Sequence, residues 1–449
     1  MAKQRVEFQC DECGAATPRW AGKCPTCGAW NSLTEAAVLP ASTASIPRLE
    51  TAVPIADVDM EAWHAFPTGI GELDRVLSGG LVPGSATLLG GEPGVGKSTL
   101  LTQAAAALAT AGRRVLYVSA EESSQQVRLR AERLGAVVPN VWLASETNLP
   151  HVIAQLDAVR PDVVIVDSIQ TVHEPQLGSA PGSVVQVREC AHRLVREAKE
   201  RATATILVGH VTKDGGLAGP RVLEHVVDTV LAFEGDNHHA LRVVRAVKHR
   251  FGSTNEVGLF EMGEAGLAAV PDASALFLAD RRPGVAGSTV VPTIDGHRPL
   301  LVEVQALTLT SALAVPRLSA QGLDSGRLAF LLAVLERHTG VEIAKHDVYA
   351  LAVGGVRVVE PGADLALALA VASSRANAPL PADLVSCAEV GLGGELRQVS
   401  QTPRRLAEAA RLGFRRALLP QSAPDAPMGI TAVRAATVGD AITQVGLQT

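Results

Sequence analysis

The chain has 449 residues, 47% of them hydrophobic and 19% charged, with a formal net charge of -6 at pH 7. That length predicts two or three domains with cores of their own, and the acidic balance excludes a global basic field, so any nucleic-acid contact must rest on local basic loops. The N-terminus lacks an apolar signal core and the longest alanine and leucine run, residues 365–372, is too short to span a bilayer, which predicts a cytoplasmic protein with no membrane contact.

The first element is a cysteine framework. Cys10-Asp11-Glu12-Cys13 and Cys24-Pro25-Thr26-Cys27 form two pairs with knuckle spacing, each closed by a glycine, Gly14 and Gly28. Four thiolates so spaced can hold Zn2+ tetrahedrally, although the loop between the pairs is shorter than is usual for a zinc ribbon. Disulfides are the competing reading and do not suit a reducing compartment. With almost no core, residues 1–33 would take most of their folding energy from the metal. Residues 34–58 carry Pro40, Pro47 and Pro54 and no aromatic residue, which predicts a linker.

Residues 59–270 read as one α/β domain in which short apolar runs alternate with amphipathic stretches, the signature of a parallel sheet flanked by helices. Ala86-Thr87-Leu88-Leu89 predicts a buried strand, and Gly91-Glu92-Pro93-Gly94-Val95-Gly96-Lys97-Ser98-Thr99 follows it, matching G-x-x-x-x-G-K-[ST] without a mismatch. Backbone N–H groups of such a loop cradle phosphates at a helix N-terminus. Lys97 would neutralise the β and γ phosphates of a nucleoside triphosphate, and the Ser98 hydroxyl would ligate Mg2+. Further strands are predicted at 114–118, 163–167, 205–208 and 229–233, with a helix whose apolar face is Val187, Cys190, Ala191, Leu194, Val195 and Ala198. Asp167 ends the second of these strands and is placed to hold the Mg2+ shell. Glu121, after the strand at 114–118, is the preferred residue to polarise an attacking water. Cys190 and Cys387 stand alone in apolar surroundings and read as structural.

These motifs carry a resemblance. Thr68-Gly69-Ile70-Gly71-Glu72-Leu73-Asp74, Gly79-Gly80-Leu81-Val82-Pro83-Gly84, the phosphate loop, Tyr117-Val118-Ser119-Ala120-Glu121-Glu122-Ser123 and Lys248-His249-Arg250-Phe251-Gly252 together resemble the RadA (Sms) family of bacterial DNA-repair proteins, RecA-like ATPases, essentially end to end. The resemblance implies ATP as nucleotide, a hexameric ring, and action with RecA recombinase on single-stranded and branched DNA. It makes His210 a candidate γ-phosphate sensor and makes the glycine-rich segment with Lys213 and Arg221 a candidate DNA loop, with residues 176–184 as its neighbour. Lys248 and Arg250 become candidates for cations offered to the ATP of the next subunit. The family pentad reads Lys-Asn-Arg-Phe-Gly, so His249 is a departure. From the residues alone, both loops could equally be plain solvated loops, and Lys248 and Arg250 alternate to one face of an edge strand, where solvated charges are ordinary.

After a linker at 271–289, residues 290–449 resemble the α+β proteolytic domain of Lon proteases. The Ser-Lys dyad of that fold is missing: Gly362-Ala363-Asp364 stands where the serine would be, and Pro403 near the lysine, followed by Arg404 and Arg405. Arginine stays protonated and cannot serve as a general base. This predicts a proteolytically inactive scaffold, with Lys345, Arg404, Arg405, Arg411, Arg415 and Arg416 as weak candidates for DNA contact. The leading expectation is a DNA-dependent ATPase and ring helicase that promotes branch migration. The alternatives are an ATP-dependent protease and a nucleotide-gated DNA-binding module that moves nothing.

Overall fold

The computed structural model describes residues 6–37, 53–57, 64–210, 221–235 and 240–447. The chain falls into two compact units that part between Val270 and Pro271.

At the start of the first unit, β1 (Val6–Cys10), β2 (Ala16–Thr17) and β3 (Leu33–Ala37) form an antiparallel sheet in the order β2-β1-β3. Among the described side chains its buried apolar residues are Cys10, Cys24 and Leu33, too few to hold a fold by hydrophobic burial.

Helix α1 (Gly71–Val76) then leads into the large sheet through β4 (Ala86–Gly91), α2 (Lys97–Thr110), β5 (Val115–Ser119), α3 (Ser124–Arg133) and β6 (Val141–Ser145). It continues with α4 (Leu149–Val159), β7 (Val163–Asp167), α5 (Val184–Arg201), β8 (Ala204–His210), α6 (Arg221–Glu224) and β9 (Thr229–Gly235). The last strands are β10 (Leu241–His249), β11 (Val257–Gly263) and β12 (Gly266–Ala269). Among the described residues the order is β12-β11-β10-β9-β4-β8-β7-β5-β6.

From β9 to β6 the neighbours are parallel, and from β9 outward through β12 they are antiparallel. The sheet is therefore mixed, more than the parallel pattern foresaw. Only Glu264 and Ala265 separate β11 from β12, and so short a connection permits a hairpin but no crossover. β10 lies between β9 and β11, but its pairing with β11 ends at Arg245, so Lys248 and His249 are paired with β9 alone, as the edge-strand expectation had it.

Alternate residues of the central strands feed two cores. Val115, Tyr117, Val163 and Ile165 pack with Leu100, Leu101, Ala104 and Leu108 of α2. Leu116, Val118, Val164 and Val166 pack with α4 and α5 through Leu149, Val152, Cys190 and Leu194. Burial on both faces explains why these strands read as unbroken apolar runs. Burial also pushes the Cys190 thiol up to about 12, which leaves it unreactive. At Gly80, φ is +132° and a Cβ would run into the backbone of Phe66 and Pro67. The Phe66 and Leu81 backbones exchange hydrogen bonds there at 2.8 and 2.9 Å.

The second unit holds α7 (Ala273–Leu278), β13 (Ser288–Asp295), β14 (Arg298–Thr310), β15 (Leu318–Gln321), α8 (Ser325–Thr339), β16 (His346–Ala352) and α9 (Asp364–Ala376). Then come β17 (Leu384–Ser386), β18 (Glu389–Val390), β19 (Leu396–Arg397), α10 (Thr402–Arg411), β20 (Arg416–Pro420), β21 (Thr431–Ala435) and α11 (Val438–Gln444). A second mixed sheet runs β15-β16-β14-β13-β17-β20-β21, and β18 pairs with β19. The alanine and leucine run lies in α9, which is buried from Asp364 to Ser373. No helix among the described residues is long and apolar enough to cross a membrane.

Two ion pairs, each with one buried and one half-buried partner, hold this unit. Arg327 of α8 grips Asp364 of α9, its Nε donating at 2.8 Å, while Val390 N donates to the same carboxylate at 3.0 Å. Arg405 of α10 is 1% exposed and meets both Glu360 oxygens, at 2.5 and 2.6 Å. It also donates to the carbonyls of Pro292 and Ser400. Arg405 is thus no surface cation, which corrects its reading as a DNA contact. Arg411 is matched by Asp272 and Glu408, and Arg416 by Asp383, whereas Lys345, Arg404 and Arg415 are exposed.

A Cβ added at Gly362 would stand 3.2 Å from Arg405 Nη1 and 3.3 Å from Glu360 Cδ. The place expected of a serine is walled by this ion pair. Burial opposes ionisation of Glu360, but the Arg405 hydrogen bonds and charge prevail and hold its carboxyl below the usual range. A depressed carboxyl contributes stability above its unfolded pKa, about 4.3, and loses it as pH falls through the folded value. Arg405→Met should therefore cost about 3 kcal/mol at pH 7 by stranding a largely buried carboxylate. Denaturant melts from pH 7 to pH 3 should show the gap to the parent protein closing as Glu360 protonates.

Candidate active site

The phosphate loop leaves the sheet at the C-terminal end of β4. All six β4 residues are buried, while Glu92, Pro93 and Gly94 form an exposed crest and Val95 tucks inward. Gly94 and Gly96 have φ of +81° and +112°, the left-handed region that glycine enters without strain. Gly96 caps α2, which begins at Lys97, so the first N–H groups of α2 face the loop, as anion binding requires.

Lys97 is 5% exposed, and its Nζ donates to Gly91 O at 2.7 Å and Glu92 O at 2.9 Å. Burial lowers its pKa, opposed by the charges of Asp167 and Glu121. The ammonium therefore feels both candidate carboxylates while capping carbonyls that a phosphate could replace. Ser98 and Thr99 follow in the first turn of α2 and are half-buried.

Asp167 ends β7 beside Ser119 of β5, and its backbone oxygen accepts from Ala120 N at 2.8 Å. The Tyr117 hydroxyl donates to Asp167 Oδ2 at 2.6 Å. Burial and the Asp167 charge push the Tyr117 pKa well above its usual value, so the group stays a donor. Ser168 Oγ donates to Glu121 Oε1, and Arg130 of α3 binds Glu122 and reaches the Tyr117 hydroxyl at 3.5 Å. Hydroxyls thus hold both carboxylates where a cation could approach them.

Sequence reasoning missed Tyr117, although it is one of only two tyrosines in the chain and stands inside an aliphatic strand. It also missed Arg242, whose Nε donates to Val95 O at 3.2 Å and braces the loop from β10.

Lys248 and Arg250 lie elsewhere. The strand register sets Lys248 level with Val230 and Leu88, and His249 with Thr229 and Thr87. That is three to four strand residues before Gly91, or about 10–13 Å. Lys248 Nζ donates to the carbonyls of Glu224 and Val227 at 2.6 and 2.7 Å, and Arg250 pairs with Asp228 at 3.1 Å. The structure does not bring these cations to the phosphate loop of their own chain. His249 shares a 2.9 Å hydrogen bond with Thr229 through Nδ1, and burial lowers its pKa.

The backbone of His210 closes β8 level with Gly91, and that of Arg221 opens α6. Lys213 lies outside the described residues.

The four framework cysteines converge. Their sulfurs all lie within 4.8 Å of one another, with Cys10 to Cys27 and Cys13 to Cys24 at 3.6 Å, and none forms a disulfide. A zinc tetrahedron with 2.3 Å bonds needs sulfurs about 3.8 Å apart, so the set fits Zn2+. Each knuckle closes by a glycine N–H donated to the first cysteine's carbonyl, Gly14 to Cys10 at 2.8 Å and Gly28 to Cys24 at 2.9 Å.

Two outcomes follow from these contacts. Tyr117→Phe keeps the ring and removes the donor, so the Mg2+ concentration that half-saturates nucleotide hydrolysis should rise about tenfold or more. Replacing Cys24 and Cys27 by serine should release about one zinc per chain, measured by metal analysis of the purified protein.

Residues 53–216 match the family model of the AAA domain, and residues 8–35 match the rubredoxin metal binding domain. The chain is 50% identical over 433 residues to the DNA repair protein RadA of Brucella abortus, covering 94% of this chain and 92% of that one. It is 49% identical to the RadA of Mycobacterium tuberculosis strain CDC 1551, covering 98% and 92%. To the RadA of Pseudomonas aeruginosa it is 51% identical, covering 96% and 97%. With a P-loop ATPase core, a four-cysteine zinc ribbon and half of its residues shared along nearly its whole length, the chain belongs to the DNA repair protein RadA family.

Proposed function

We propose that this chain is a DNA-dependent ATPase that works as a ring, of six copies in the family manner, moves on single-stranded DNA, and promotes branch migration of recombination intermediates with RecA recombinase. The observation that carries the ATPase reading is the convergence of Lys97, Glu121 and Asp167 at one edge of the sheet. ATP with Mg2+ would supply the phosphoanhydride to be broken and the charge neutralisation around it. Lys97 would exchange the Gly91 and Glu92 carbonyls for phosphate oxygens. Ser98 and Asp167 would hold the metal, and Glu121 would orient the attacking water and take its proton.

The distance of Lys248 and Arg250 from their own phosphate loop supports a role toward the nucleotide of a neighbouring subunit. Contact with DNA through the segment bearing Lys213 and Arg221 would be mainly with phosphates, hence sensitive to salt and nearly indifferent to sequence. Residues 290–449 would act as a scaffold. The protease reading is disfavoured because Gly362 offers no nucleophile and stands against Arg405 and Glu360.

Lys97→Ala should abolish ATP turnover, and an unchanged rate in that variant would refute the motor. In the parent protein the rate should rise when single-stranded DNA is added, rise with protein concentration as copies assemble, and fall with salt.

A further inference from the structure

The four-cysteine module leaves its largest apolar side chains outside. Among its described side chains Cys10, Cys24 and Leu33 are buried, yet Trp20 is 58% exposed and Trp30 74% exposed. Two of the chain's four tryptophans thus stand in the first 33 residues, and neither completes a core there. Large aromatic side chains dominate core and interface energetics. A single exposed apolar residue is ordinary, whereas a cluster of them marks a surface that meets a partner.

These two are clustered. The place of a Cβ on Gly22 is 3.9 Å from Trp30 Cζ3 and 4.0 Å from Trp20 Cη2, so both six-membered rings border one glycine that puts no side chain between them. The backbone fixes the arrangement. Asn31 N donates to Gly22 O at 2.9 Å and Cys24 N to Ala29 O at 2.8 Å, which sets Lys23 across from Trp30 with its Nζ 5.6 Å from the ring centroid. The second cysteine knuckle therefore shapes this surface.

Charge indicates the partner. From Gly14 to Ser32 the sequence holds no Asp or Glu and carries Arg19 and Lys23, both exposed, within a chain of net charge -6. Aromatic faces beside cations suit an unpaired nucleic-acid strand, whose bases stack on the rings while its phosphates meet the cations. A duplex keeps its bases stacked on one another and offers the cations alone a contact. The module also lies against the start of α5: a Cβ on Gly14 would stand 3.9 Å from Val185 Cγ2, directly after the 176–184 loop.

We propose that Trp20 and Trp30, with Arg19 and Lys23, form a stacking platform for single-stranded DNA on the zinc module. The inference rests on the DNA-dependent reading above and adds a contact to the segment bearing Lys213 and Arg221.

The test uses the full zinc-loaded chain and an oligo(dT) strand. Trp20→Ala and Trp30→Ala should each weaken binding about tenfold, as the loss of one stacked base does, at unchanged zinc content, while affinity for a blunt duplex of the same length should hardly move. Lys23→Gln should lower the slope of log affinity against log salt by about 0.7, whereas the alanine variants should keep the parent slope. Should an alanine variant lose its zinc, Trp20→Phe and Trp30→Phe retain an aromatic face. They should bind the strand nearly as well as the parent, and the quenching of tryptophan emission that the strand causes in the parent should shrink in each. Undiminished affinity in the alanine variants, an equal loss for the duplex, or parent emission indifferent to the strand would each overturn the proposal. A loss of binding to RecA recombinase at undiminished DNA affinity would overturn it too, by making the platform a protein interface. A parent protein that binds no single-stranded DNA refutes the DNA reading itself, whereas a parent that binds it no better than the alanine variants do refutes only this platform.

Discussion

The hydrogen bond from the Tyr117 hydroxyl to Asp167 organises the first unit's chemistry. A carboxylate at the end of a buried strand is expensive to ionise unless something satisfies its lone pairs, and a cationic partner would consume the charge a metal needs. A neutral hydroxyl satisfies one oxygen and leaves the negative charge in place. Ser168 Oγ likewise donates to Glu121. Lys97, drawn by both acids yet tied to its own loop's carbonyls, completes this set of charges.

The second unit solves the opposite problem. Its buried charges are paired as closely as geometry allows, Arg327 with Asp364 and Arg405 with Glu360. Neither pair leaves a nucleophile or a base to act. Arg405 reaches β13 through Pro292 O, its own helix entry through Ser400 O, and the turn before α9 through Glu360, so one guanidinium fastens three segments. Removing either partner would strand a charge, which ties the unit's integrity to the residues that stand near the place of the absent dyad.

Much of the fold was legible because it rests on local rules. The phosphate loop needs glycines at fixed offsets and a helix directly after, and the cysteine knuckles need two-residue spacing closed by glycine. The strands ending at Ser119 and Asp167 are buried on both faces, so they read as apolar runs. In the second unit the local signals are Asp324, whose side chain caps α8, and Pro403 in the first turn of α10. Illegible were contacts between residues far apart in the chain: Tyr117 with Asp167, Arg242 with Val95, Glu360 with Arg405. Nothing in the vicinity of Arg405 distinguishes it from its exposed neighbour Arg404, since only the packing of α10 against β13 buries one and exposes the other.

By itself, the sequence determined that the chain holds a phosphate-binding loop, a four-thiolate metal module and an α/β core, because each is signalled by short local patterns of residue type. Tertiary structure alone decided that β10 lies inside the sheet, and that Lys248 and Arg250 stand away from their own phosphate loop. It also decided that hydroxyls hold the two carboxylates. The physical reason is that strand order and side-chain burial follow from the summed packing of distant segments, which no local pattern encodes.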